Sequence, residues 1–101
     1  MESGEIVSVL GALAQETRLE VFRQLVQAGP GGLSAGEIAK RLEIPAPTLS
    51  FHLRSLLHAR LVSSERDGRS LIYAADFSVM GEVMGFLTRN CCTGTSDAPL
   101  E

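Results

Sequence analysis

Two groups of residues in the chain have the types and spacing to do chemistry. Cys91 and Cys92 are adjacent within Asn90-Cys91-Cys92-Thr93-Gly94-Thr95-Ser96-Asp97-Ala98 and are the only cysteines. One adjacent pair cannot form a disulfide framework, which agrees with a reducing compartment. As thiolates, the two sulfurs are soft ligands for metals and metalloids, or the reactive groups of a redox sensor. The second group lies between Lys40 and Arg69. That stretch holds six basic residues (Lys40, Arg41, Arg54, Arg60, Arg66, Arg69) and three acidic ones (Glu43, Glu65, Asp67). The whole chain carries −3, so a basic segment of +3 is flanked by residues summing to −6. For nucleic-acid binding, the distribution of charge matters more than its total.

Enzymatic chemistry has little to work with. The sequence contains no G-x-S-x-G, no phosphate-binding glycine loop and no cluster of metal ligands with an open position. At 101 residues and 10.8 kDa, with 45% apolar and 21% charged residues, the chain has the size and composition of one globular domain. Trp is absent and Tyr occurs once, a poor supply for a platform that stacks single-stranded bases. No apolar run approaches the ~18 residues that span a bilayer. The N-terminal stretch is acidic and amphipathic, unlike a signal peptide. A cytoplasmic protein with no membrane partner is expected.

The elements that must position these groups follow from periodicity. Ile6, Val9, Leu10 and Leu13 have i, i+3, i+4, i+7 spacing and predict a helix over 5–14. Thr17-Arg-Leu-Glu20 has the form of a capping box and predicts a second helix, with Leu19, Phe22, Leu25 and Val26 as its stripe and Gly29-Pro-Gly-Gly32 as its end. Ser34-Ala-Gly-Glu37 is another capping box, opening a short third helix. Pro45 breaks the chain before a fourth helix over 46–60. Asp67-Gly68 between two extended runs predicts a hairpin. Met80, Val83, Met84 and Leu87 predict a last helix over 78–89. The expected fold is mainly α with a β-hairpin wing: a winged helix-turn-helix of about five helices and two strands. The folded domain spans 1–92 and a flexible tail 93–101.

In such a fold the fourth helix enters the major groove of DNA and the hairpin lies beside it on the backbone or minor groove. At about 100° per residue, Leu49, Leu53, Leu56 and Leu57 share one side of that helix. Pro47, Thr48, Phe51, Arg54, Ser55 and His58 lie opposite, with Ser50 and His52 at the flanks. Thr48 and Ser50 can bond bases or phosphates, Arg54 a guanine edge or a phosphate, and Phe51 can meet a thymine methyl. His52, beside the core, reads as a buried, hydrogen-bonded histidine at the margin of this face. Arg66 and Arg69 flank the hairpin tip and suit phosphates or the minor groove. The candidate DNA-binding set is Pro47, Thr48, Ser50, Phe51, His52, Arg54, Arg66 and Arg69.

The segments Ala12-Leu-Ala-Gln-Glu-Thr-Arg-Leu-Glu-Val-Phe22, Gly36-Glu-Ile-Ala-Lys-Arg-Leu42, Pro47-Thr-Leu-Ser-Phe-His-Leu-Arg-Ser-Leu56, Ala59-Arg-Leu-Val62 and Arg66-Asp-Gly-Arg-Ser-Leu-Ile-Tyr73 together resemble the ArsR/SmtB family of metalloregulatory repressors, over about residues 5–90. The resemblance implies a homodimer built by the first and last helices, here 5–14 and 78–89, that leaves operator DNA when an inducer binds. Two departures stand out. Arg60 occupies the place of a common Gly after the recognition helix, where a left-handed cap favours Gly. Phe51 precedes His52 where Arg is frequent.

The family's sensor sites can be tested residue by residue. The C-x-C pair of one subgroup falls on Ser34 and Gly36. The zinc ligands of another need histidines on the last helix, where Asp76 has none to follow it. The C-terminal segment resembles the arsenic sensors that carry N-C-C-x-G-x-x-D-C, with Ala98 where the third Cys would stand. The resemblance therefore implies trivalent arsenic, inorganic or methylated, or antimony as inducer at Cys91 and Cys92, with no catalytic cofactor. A persulfide or thiol-redox sensor on the same scaffold is the alternative.

Overall fold

A computed structural model describes residues 1–94; the expected tail from Thr95 on, with Ala98, lies outside the described residues. The elements are α1 (Ser3–Leu13), α2 (Glu16–Ala28), a 3-10 turn (Gly29–Gly31), β1 (Leu33–Ser34), α3 (Ala35–Leu42), α4 (Ala46–His58), β2 (Val62–Asp67), β3 (Ser70–Ala75) and α5 (Phe77–Thr88). The five helices and the hairpin stand where the periodicity places them. The sheet has a third strand, β1, paired antiparallel to β3 with Leu33 opposite Tyr73. Two residues are too short to show an alternation of period two.

Local chemistry sets the boundaries. Ser34 caps α3 as its sequence requires: its hydroxyl accepts from Glu37 N at 3.2 Å and its own N–H donates to Glu37 Oε1 at 2.9 Å. The box read at Thr17–Glu20 does not form. Gln15 lies earlier in the chain, and its Oε1 accepts from Arg18 N at 2.7 Å, so α2 starts at Glu16. Asp76 caps α5 by accepting from Ser78 N and Val79 N, both at 3.1 Å, which moves that helix start to Phe77. The two-residue hairpin loop is Gly68-Arg69, because Asp67 already pairs with Ser70. Gly68, at φ 65, is the first loop residue, the place where a II′-type hairpin turn needs Gly.

Helix α4 stops at His58, before the expected end. Arg60 N donates to Leu57 O and Leu61 N to Leu56 O, both at 3.0 Å, while Arg60 adopts φ 65. This is the Schellman pattern with Arg at the left-handed position. Leu56 and Leu61, both fully buried, meet the hydrophobic requirement of the motif.

The core joins Ile6 and Val9 of α1, Val21, Phe22 and Leu25 of α2, Ile38 of α3, Leu49, Leu53 and Leu56 of α4, and Val79 and Val83 of α5. Each terminal helix has two apolar faces, which the sequence stripe pooled into one. On α1, Ile6 and Val9 face inward while Val7 and Leu10 are exposed; on α5, Val83 is buried while Met84 and Leu87 are exposed.

Candidate nucleic-acid interface and thiol pair

Helix α4 follows the turn after α3, and Pro47 sits in its first turn, where a missing N–H costs nothing. The buried leucines Leu49, Leu53 and Leu56 fix its roll, so Thr48, Ser50, Phe51 and Arg54 are exposed together. Phe51 is 57% exposed. An aromatic ring left in water on a helix between polar neighbours is unfavourable by its apolar area, at about 25 cal/mol per Å².

His52 departs from this set. It is only 8% exposed, and its Nδ1 is buried without a hydrogen-bond partner. The expected buried histidine is present; its expected hydrogen bond at Nδ1 is not. Burial pushes the imidazole below its ordinary value, and the Arg18 charge adds to that shift.

The wing projects from the core at Val62 and Ala75, the last buried positions of β2 and β3. Its base is tied to α5 by Asp76 N donating to Leu61 O at 2.9 Å. Arg66 and Arg69 are exposed near the tip, and among the described residues neither they nor Arg54 is ion-paired. Between the wing and the start of α3 runs a groove of about 430 Å³ lined by Ser34, Gly36, Arg66, Arg69, Ser70 and Tyr73. The sequence did not disclose that β1 brings Ser34 beside the wing; only the pairing of Ser34 with Ile72 does so. Ser34 is engaged in capping, and its backbone N–H, then its hydroxyl, hold the Glu37 carboxyl below its ordinary value.

Past α5 the chain continues in turns. Cys91 N donates to Thr88 O at 3.0 Å and Thr93 Oγ1 to Asn90 O at 3.2 Å. Asn90 and Cys92 adopt φ 60 and φ 70. Both cysteines are exposed, with their sulfurs joined to each other. Among the described residues, no group of three or more His, Cys, Asp or Glu is arranged to hold a metal ion. Reduced to thiolates, the pair would offer two soft donors side by side, and Asp76 is engaged as a helix cap.

Comparison with known proteins bears on this geometry. A helix-turn-helix domain family matches residues 13–65. The transcriptional regulator KmtR of Mycobacterium tuberculosis is 38% identical over 67% of this chain, which spans only 50% of KmtR's length. The arsenical resistance operon repressor of Staphylococcus aureus is 27% identical, covering 83% of this chain and 78% of that protein. The solved structure of an ArsR-like transcriptional regulator from Rhodococcus superposes with TM-score 0.77 at 32% identity, covering 85% of this chain and 78% of the other. A winged fold with an exposed polar α4 face, unpaired arginines on the wing and these relatives places the chain in the ArsR family of winged helix-turn-helix transcriptional regulators.

Proposed function

We propose that the protein is a homodimeric, cytoplasmic repressor that leaves its operator when trivalent arsenic, inorganic or methylated, or antimony joins Cys91 and Cys92. Thr48, Ser50 and Phe51, with Pro47 fixing the helix start, read the major groove, and Arg54 meets a guanine edge or a phosphate. Arg66 and Arg69 hold phosphates, and His52 supports the reading helix from beneath. The partner surface is the exposed apolar face of α1 and α5, within 5–14 and 78–89, where Val7, Leu10, Met84 and Leu87 are left uncovered.

The observation that carries the inducer reading is the exposed vicinal pair directly beyond α5. Once a cellular thiol has reduced their disulfide, the two adjacent thiolates fill two of the three positions that trivalent arsenic takes. A methylated arsenical needs no more, and inorganic arsenic can add hydroxide, a small thiol or a partner-subunit sulfur. Zinc, which usually takes four protein ligands, is poorly served. The juxtaposed sulfurs support a second reading, a persulfide or thiol-redox sensor, by the same geometry.

Operator binding by fluorescence anisotropy, challenged separately with As(III), methylated As(III), Sb(III), Zn(II) and persulfide, tests the reading. Arsenic should release DNA from the wild type, and Cys91→Ser or Cys92→Ser should keep operator affinity and lose the response. Release of the double Ser variant by arsenic would put the sensor elsewhere. Release by persulfide alone would establish the redox reading.

A further inference from the structure

Arg18 lies in the Thr17-Arg-Leu-Glu20 stretch whose expected capping box does not form. Its side chain turns back instead, and Nε donates to Ala12 O at 2.6 Å. That bond fixes a part-buried guanidinium at the corner between α1 and α2. No carboxylate pairs with it among the described residues. An unpaired guanidinium drawn partly out of water is unfavourable unless an anion meets it.

The corner opens on a groove of about 450 Å³ between α1, the start of α2 and the C-terminal half of α4. Arg18, Arg54 and His58 line it with Ser8 and Ser55, and no acidic residue does. Gly11, Ala12 and Ala59 complete the lining with small side chains and leave the space open. Two guanidinium groups offer forked donors that match a phosphate, and the volume lies within the roughly 300–1,000 Å³ of ligand sites.

We propose that this groove is a phosphate-binding site, with Arg18 and Arg54 gripping the oxyanion and Ser8 and His58 completing its hydrogen bonds, while the Ser55 hydroxyl donates to Phe51 O. The phosphate has two possible sources: a soluble phosphate-bearing molecule, or a backbone phosphate of the operator, to which the same helix presents Thr48 and Phe51. The proposal does not depend on the cysteine reading.

The test uses the whole protein without DNA. Inorganic phosphate is titrated at constant ionic strength while the Arg18 Nε and His58 imidazole signals are followed by NMR, with chloride as the control. A saturable shift with phosphate that chloride does not give is expected, and it should vanish in Arg18→Gln. His58→Ala, an exposed position that spares the Ala12 bond, should weaken it several-fold and guards against misfolding of the first variant. The salt dependence of operator binding separates the sources. If the operator supplies the phosphate, the log–log slope of Arg18→Gln should be shallower by about 0.9 per subunit. An unchanged slope with phosphate binding lost assigns the groove to a soluble ligand. No saturable shift in the wild type, together with an unchanged slope in both variants, overturns the proposal.

Discussion

Replacing Arg60 with Gly should stabilise the protein. Arg60 holds φ 65 at the end of α4, where two 3.0 Å hydrogen bonds close the helix. The left-handed conformation costs an L-residue roughly 1–2 kcal/mol. Gly removes that cost and returns roughly 0.5–1 kcal/mol of it through the greater entropy of the unfolded chain. Arg60 also faces Glu5 at 4.0 Å, with side chains 73% and 50% exposed. A pair so exposed contributes at most a few tenths of a kcal/mol after screening. The net gain is about 0.5–1 kcal/mol, and in a domain of this size it should raise Tm by roughly 2–8 °C. Thermal unfolding by circular dichroism, at fixed protein concentration and at low and high salt, measures it. High salt should enlarge the gain slightly by removing the Glu5 contribution from the wild type. A lower Tm for the Gly variant would refute the strain argument. An operator affinity that falls tenfold in the same variant would make Arg60 a DNA contact, which its position after the helix does not require.

Arg69→Ala should weaken binding to all DNA sequences alike; with two wings per dimer and about 0.9 ions per phosphate contact, the salt slope should become shallower by about 1.8. A changed base preference at unchanged slope would contradict a phosphate role. Gly32→Ala should destabilise by roughly 2 kcal/mol or more, since Gly32 holds φ 70 and an added Cβ would run into the Tyr73 carbonyl; chemical denaturation reads the loss. His52 makes stability depend on pH in a defined direction. Its folded value is depressed by burial and by Arg18, so the unfolded chain takes up the proton first, near about 6.5. The stabilisation is therefore whole above that pH and is lost as pH falls through the folded value. Urea midpoints of the wild type should drop between pH 7.5 and 5.5 more than those of His52→Gln, and equal drops would remove His52 as the cause.

The sequence is most legible where one local interaction has no competitor. Ser34 and Glu37 form their box because nothing nearby offers the backbone a better donor or acceptor. The same four-residue pattern at Thr17 fails because Gln15 reaches Arg18 N from the preceding corner, a competition that spacing alone does not display. The leucines of α4 give its roll, and hence the exposed face, because one helix period decides them. Tertiary facts are less legible. The two apolar faces of α1 and α5 overlap in one run of hydrophobic residues. Only the packing separates Val9, inside, from Leu10, outside. The pairing of β1 with β3 and the turn of Arg18 toward Ala12 depend on contacts distant along the chain, which carry no periodic signal.

The position of the cysteines bears on how a signal there can reach DNA. Cys91 and Cys92 lie beyond the last helix, exposed, and neither belongs to the core. Substituting them removes no buried area, so the proposed sensor can be gained or lost at little cost to the fold. By the same token, an inducer held there cannot act by unfolding the core. The nearest element is α5, whose Val79 and Val83 are anchored inside and whose Glu82 faces the Met1 amine at 3.8 Å. On the proposed reading, arsenic held by the two reduced thiolates rearranges the turns from Arg89 to Cys92. The change falls on the end of α5 that presents Met84 and Leu87 to the partner. That surface sets the spacing of the two α4 helices, which must match half-sites about one DNA turn apart. An inducer that favours the mismatched spacing by about 1–3 kcal/mol weakens operator binding roughly 5–150-fold. The recognition helix itself need not change, because the coupling lies in the distance between two rigid copies of it.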